Sequence, residues 1–257
     1  MLPLSTLPTI LEPRFKLGGY KIPSMKKTTV AVLLLAGTLA AQSATPVPDS
    51  EIPQRKQHIQ NQHVTVSLLE LAPQESTPMH RHDHDILTVS ISGGHTKDTL
   101  DGKKPDEDKL VAGEVHFRKA GFTHALTNEG PGVFRAVIIE FAEPQGKMEG
   151  VGAKNSHYCN PGSKTVCVNE KYLFCTKNVC LEDVSLGPGA VTIKHGHTTD
   201  HMLIAVSDYE LTDETEGKGT TVRTKKSGEV EYFHPGITHQ LTNSGKDTAR
   251  FIAVVFR

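Results

Sequence analysis

Tryptophan is absent from this sequence, and basic and acidic residues nearly balance, 28 against 29. The balance removes both the basic surplus of a nucleic-acid groove and the single-sign excess of a disordered tail, which leaves a small molecule as the expected partner. Cysteine is absent outside one stretch, YCNPGSKTVCVNEKYLFCTKNVC, residues 158–180. Long apolar runs are absent outside residues 30–41, and beyond that run no window carries the 3.6-residue apolar period of an amphipathic helix. The length suits two domains of about 100 residues each.

The single apolar run belongs to MKKTTVAVLLLAGTLAAQSA, which begins at Met25. Two lysines, a short apolar segment and then small residues have the composition of a secretory signal peptide, and the run is too short for a membrane span. The lysines before it and ATPVPDSEIPQ after it argue against a buried core helix. Residues 1–43 are therefore expected to be a leader, with Met25 as the true start and Met1–Ser24 as an over-extended one. The mature chain would be mildly anionic, periplasmic or secreted, and free of the membrane once the signal is removed. The cysteines fit export. Cys159, Cys167, Cys175 and Cys180 have poor zinc-knuckle spacing, and in an oxidising compartment two disulfides are expected, with three pairings open.

The remaining sequence is one unit written twice. GEVHFRKAGFTHALTNEG, residues 113–130, aligns without a gap on GEVEYFHPGITHQLTNSG, residues 228–245. The same offset of 115 positions relates His80 to His195, His82 to His197, His124 to His239, Asn128 to Asn243 and Arg135 to Arg250. Between the two matching blocks, LTVS ending at Ser90 matches IAVS ending at Ser207, which implies a two-residue slip that pairs Asp83 with Asp200 and His84 with His201. The expected organisation is barrel 1 over residues 61–144, a Cys-rich linker over 145–180 and barrel 2 over 181–257. Runs such as HVTVSLLEL, ILTVSIS, FRAVIIEF and ARFIAVVFR are β-branched or alternating and are bounded by Gly, Pro, Asn and Asp, so each unit reads as all-β.

Strand side chains alternate faces, which puts His80, His82 and His84 of HRHDHD on one side, and likewise His195, His197 and His201 of HGHTTDH. Asp85 and Asp200 fall on the opposite face unless a bulge re-aims them. His124 and His239 complete four histidines per unit. Imidazole ligates zinc, iron, copper, nickel and manganese, so a divalent transition metal (Fe, Mn, Ni, Zn or Cu) is the expected cofactor. Gly113, Gly121, Gly228 and Gly236 read as turn residues needing unusual backbone angles. Arg135 and Arg250, in the last strand of each unit, read first as ordinary surface charges, with anchoring of an anionic substrate as the functional alternative.

The order His-x-His, a third ligand, a Gly-rich turn and then PG-x-x-H-x-x-x-N resembles the two motifs of the cupin superfamily, and the duplication resembles a bicupin. The resemblance covers nearly all of residues 61–257 outside the cysteine segment. It implies two tandem double-stranded β-helix (jelly-roll) barrels with metal ligands at His80, His82 and His124, and at His195, His197 and His239. The glutamate that the family places four residues after the second histidine is missing; its position falls on His201 and, with the two-residue slip, on His84. Ala120 also stands where Pro235 keeps the second motif's proline.

The function expected is that of a metal-dependent small-molecule enzyme of dioxygenase-like type, with decarboxylase or isomerase chemistry sharing the same ligand signature. The alternative is a non-catalytic binding protein, because a closed four-ligand site is typical of structural metal. One chain with two barrels is compatible with a monomer or a homodimer.

Overall fold

The computed structural model describes residues 45–150 and 155–257. The expected leader lies outside the described residues. Ten strands build the first barrel: β1 (Val47–Pro48), β2 (Arg55–Gln60), β3 (Val64–Leu71), β4 (His80–His82), β5 (Ile86–Ser90), β6 (Gly94–Leu100), β7 (Asp106–Leu110), β8 (Val115–Arg118), β9 (Phe122–Asn128) and β10 (Phe134–Phe141). Ten more build the second: β11 (Ser156–Cys159), β12 (Cys167–Cys175), β13 (Val179–Leu186), β14 (His195–His197), β15 (His201–Ala205), β16 (Tyr209–Thr215), β17 (Gly219–Lys225), β18 (Val230–Phe233), β19 (Ile237–Asn243) and β20 (Ala249–Phe256). Each barrel is a pair of sheets. In the first they are ordered β1-β4-β9-β6-β7 and β2-β3-β10-β5-β8; in the second, β14-β19-β16-β17 and β11-β12-β13-β20-β15-β18.

The near-continuous apolar strands have two faces to bury. On β3, β5 and β10, the residues Val64, Val66, Leu68, Leu87, Val89, Val137 and Ile139 point away from barrel 1. They meet Val179, Leu181, Met202, Ile204, Ile252 and Val254, which point away from barrel 2 on β13, β15 and β20. The alternate residues, Leu69, Leu71, Phe134, Ala136 and Ile138, line the interior of barrel 1, and Val184, Leu186, Leu203, Phe251 and Ala253 that of barrel 2. A strand such as FRAVIIEF thus serves a barrel and the seam between barrels at once. Each fully buried aliphatic side chain stabilises by roughly 1.5–3 kcal/mol, so this seam is a second core.

The 115-residue register runs without interruption, which corrects the expected slip. Ile86 pairs with Glu140 and Arg118, and His201 pairs with the equivalent Val255 and Phe233. The amides of Phe141 and Phe256 likewise donate to the carbonyls of Asp85 and Asp200. His201 is therefore the counterpart of Ile86, not His84, and Asp200 that of Asp85, not Asp83. A two-residue slip keeps every side chain on its face, so alternation alone does not distinguish the two registers, whereas strand pairing does.

The cysteine stretch does more than connect the barrels. β12 pairs with β13 as β2 pairs with β3, even to an irregularity at Tyr172/Phe174 that matches Gln57/Ile59. Both barrels therefore begin ahead of the expected positions 61 and 181. RKQHIQ of β2 and EKYLFC of β12 share only one identity, so the equivalence shows in the strand pairing and not in the sequence. Cys159 is bonded to Cys167 and Cys175 to Cys180, each closing the hairpin on which it lies. The motif asparagines knit turns: Asn128 Nδ2 donates to the carbonyls of Leu71 and Gly132, and Asn243 Nδ2 to those of Leu186 and Asp247.

Candidate metal centres

Alternation on the short strand β4 turns His80 and His82 to the same side, and antiparallel pairing sets His124 of β9 directly opposite His80. His80 Nε2 lies 3.0 Å from His82 Nε2, which lies 3.3 Å from His124 Nε2. Donor atoms at about 2.0–2.1 Å from one cation would have comparable separations. The other ring nitrogens face acceptors. His80 Nδ1 donates to the Pro78 carbonyl at 2.9 Å and His124 Nδ1 to Asp98 Oδ1 at 2.7 Å, while His82 Nδ1 is 3.2 Å from Glu140 Oε1. Since carbonyls and carboxylates only accept, each Nδ1 carries the proton and each Nε2 turns a lone pair toward the common point. Burial holds His80 and His82 down to about 3, so both imidazoles are neutral at ordinary pH, the form a metal requires.

The second barrel repeats the arrangement. His195 opposes His239 across β14 and β19, and His197 Nε2 is 3.2 Å from His239 Nε2. His195 Nδ1 donates to the Ile193 carbonyl at 2.8 Å and His239 Nδ1 to Asp213 Oδ1 at 3.0 Å. Burial, then the neighbouring histidine charges, hold His197 down to about 3. Burial pushes the Asp213 carboxyl up, but the hydrogen bond from His239 and the Arg223 ion pair outweigh it and hold the group down at about 2. Asp98 is likewise below the usual carboxylate range, His124 and Arg118 overcoming burial.

Each centre gathers three histidines, not four. His84 lies on the bend after β4 and is exposed, because the strand ends at His82 and the alternation ends with it. His201 is buried, but its ring lies flat between His197, with centroids 3.7 Å apart, and Phe233, at 4.7 Å. Stacking presents a ring face to His197 and leaves His201 outside the convergent trio. The place of the family's glutamate is taken by Ile86 in barrel 1 and by His201 in barrel 2. Asp83 is exposed and pairs with Arg81, and Asp85 accepts the Ala120 and Gln145 amides, so neither supports a ligand.

Arg135 and Arg250 stand at the seam, away from both centres. Arg135 donates to Glu70 and crosses to Ser227 Oγ and the Ser227 carbonyl of barrel 2. Arg250 donates to both oxygens of Asp183 and crosses to the Ala112 carbonyl of barrel 1. Each guanidinium lies against a left-handed glycine, Gly228 (φ +84°) or Gly113 (φ +81°), so the duplicated arginines form a reciprocal clasp between barrels.

Several site residues carried no motif signal. Asp98 and Asp213 obey the 115-residue offset and would have emerged from an ungapped comparison. Asp49, Arg55 and Glu140 belong to barrel 1 alone: Arg55 is ion-paired with Asp49 and lies 3.9 Å from Glu140. Burial, then the neighbouring Glu140 carboxyl, raises the Asp49 carboxyl to about 6 against the pull of Arg55 and His82. Centre 1 opens into a cavity of 290 Å³ lined by Arg55, Arg118, Leu69, Thr88 and Ile138. Centre 2 opens into one of 350 Å³ lined by Tyr158, Glu170, Tyr172 and Glu182. Arg55 and Glu170 are equivalent, pairing with the equivalent residues Leu69 and Val184, so the duplicated cavities have reversed charge at this position.

No protein-family model matches the chain. A stretch of 73 residues is 38% identical to the beta-alanine degradation protein BauB of Pseudomonas aeruginosa, spanning 27% of this chain and 73% of that protein. Among solved structures, AerE from Microcystis aeruginosa superposes with a TM-score of 0.55 at 13% identity, over 80% of this chain and 98% of the other. A cupin 2 conserved barrel domain protein from Leptotrichia buccalis gives 0.51 at 14% identity, over 79% and 88%. Oxalate decarboxylase of Bacillus subtilis, a protein with Mn(II) centres, gives 0.51 at 12% identity, over 78% and 74%. The fold and the paired histidine sites define a bicupin. The chain belongs to the cupin superfamily. Its histidine clusters are suited to holding a metal ion, and its two disulfides accord with an oxidising compartment.

Proposed function

We propose that the protein is an exported, metal-dependent bicupin enzyme acting on small molecules, with dioxygenase-like chemistry as the leading reading. The observation that carries it is the convergence of three imidazoles in each barrel beside a cavity. Three protein ligands leave room for a substrate, whereas four would describe a closed structural site. A divalent transition cation would supply open coordination positions and polarise what binds there.

The chain's own residues divide the remaining work. Asp98 and Asp213 fix the tautomer of His124 and His239. Phe122 stacks on His82 at 4.7 Å and is itself covered by Arg118, which keeps that ligand's ring in place. Leu69, Leu126 and Ile138 make the wall of cavity 1 apolar. Cavity 2 carries Glu170 where cavity 1 carries Arg55, already paired with Asp49, so the two barrels would not duplicate each other's specificity.

Metal content per chain, by plasma mass spectrometry, tests the reading on the parent and on a His82→Ala, His197→Ala variant. About two equivalents, falling to near zero in the variant, are expected; oxygen uptake with each metal then screens for oxidase or oxygenase turnover. A folded parent without tightly bound metal would overturn the proposal. Bound metal without turnover of any substrate class would favour a non-catalytic binding protein.

A further inference from the structure

The two centres differ most in what approaches them from outside the duplicated register. β1 adds to the edge of β4 in parallel, Val47 opposite His80, and the turn that follows brings Asp49 into barrel 1. The sheet holding centre 2 begins at β14, with no such added strand among the described residues. Asp49 is only 8% exposed. Its Oδ2 pairs with Arg55, but its Oδ1 lies buried without a hydrogen bond of sound geometry, 3.3 Å from His82 Nδ1 and 3.8 Å from His80 Nε2. An unsatisfied buried carboxylate oxygen is costly unless a positive charge stands near it. Arg55 already serves the other oxygen.

The missing charge is on the histidine side. Ile86 occupies the family's glutamate position, so the histidine trio of centre 1 includes no carboxylate and would leave a dication uncompensated. We propose that Asp49 supplies this compensation from the added strand, as a positioning residue acting through His82, and that centre 1 consequently binds a divalent cation more tightly than centre 2. Glu140 assists on the same His82 nitrogen. In centre 2 the position of Glu140 is Val255, and no added strand among the described residues carries a counterpart of Asp49, so neither charge is reproduced. The inference rests on the metal-binding reading above.

The test isolates each centre, using the full chain with His197→Ala to leave centre 1 and His82→Ala to leave centre 2. Zn²⁺ and Mn²⁺ alone are titrated against a chelator, and circular dichroism and the urea midpoint monitor the fold. Centre 1 is expected to be the tighter. Asp49→Asn should weaken centre 1 about 10–100-fold and leave centre 2 unchanged, and Asp49→Glu should recover most of the loss. Arg55→Gln breaks the same ion pair but leaves the carboxylate, so centre 1 should bind at least as tightly as before. Unchanged affinity in Asp49→Asn would overturn the proposal while leaving the metal reading intact. Equal weakening by Asp49→Asn and Arg55→Gln would overturn it too, by reducing Asp49 to a strut for the strand. No binding at centre 1 in a folded parent would remove both readings together.

Discussion

Replacing Gly113 by alanine perturbs the clasp between barrels in a way that can be separated from backbone strain. Gly113 has φ +81° and Gly121 has φ +89°, so alanine at either position meets the same left-handed penalty, about 1 kcal/mol or slightly more. Around Gly121 nothing lies within 4 Å, whereas a Cβ on Gly113 would sit 2.7 Å from Arg250 Cζ. The guanidinium must then move, giving up its bond to the Ala112 carbonyl and disturbing its paired bonds to Asp183. At about 0.5–1.5 kcal/mol per hydrogen bond, reduced for a side chain about one-third exposed, this adds about 1–2 kcal/mol. Urea unfolding should therefore show Gly121→Ala losing about 1 kcal/mol and Gly113→Ala about 2–3 kcal/mol. In an Arg250→Ala background the extra loss should vanish, a coupling of about 1 kcal/mol or more. Equal losses at Gly113 and Gly121, or no coupling to Arg250, would refute the clasp.

Other expectations follow from the same contacts. Asp98→Asn and Asp213→Asn should each weaken metal binding about 10–100-fold in their own barrel only, whereas His84→Ala should leave metal content unchanged; chelator competition measures both. Reduction of the two short-loop disulfides should lower stability by about 2 kcal/mol each, seen as a shift in the urea midpoint with and without dithiothreitol. Burial pushes the Asp85 carboxyl up, but the Ala120 and Gln145 amides and Lys119 hold it below its usual range. Its stabilisation should be present above the unfolded value of about 4 and be lost as pH falls through the lower folded value. Asp85→Asn should therefore flatten the acid limb of the stability profile, and an unchanged limb would count against that assignment.

The duplication, the all-β class and the trio of histidines in each unit were legible in the sequence by itself. Alternation along a strand and one repeated offset are local properties, and His80, His82 and His124 keep both. The termination of β4 at His82 was not legible, because nothing in HRHDHD marks where pairing stops, so His84 looked equivalent to its neighbours. Nor did the pattern distinguish a gapless register from a two-residue slip, since both preserve the faces; only the pairing of Ile86 and His201 with β10 and β20 does. Arg135 and Arg250 kept the offset for a reason no single strand contains, the packing of one barrel against the other. Asp49 had no counterpart to mark it, and its role arises only where a separate strand adds to β4. The sequence by itself determined what repeats within each unit. Tertiary structure decided what the units do to each other and what enters from outside the repeat, because those contacts join residues far apart in the chain.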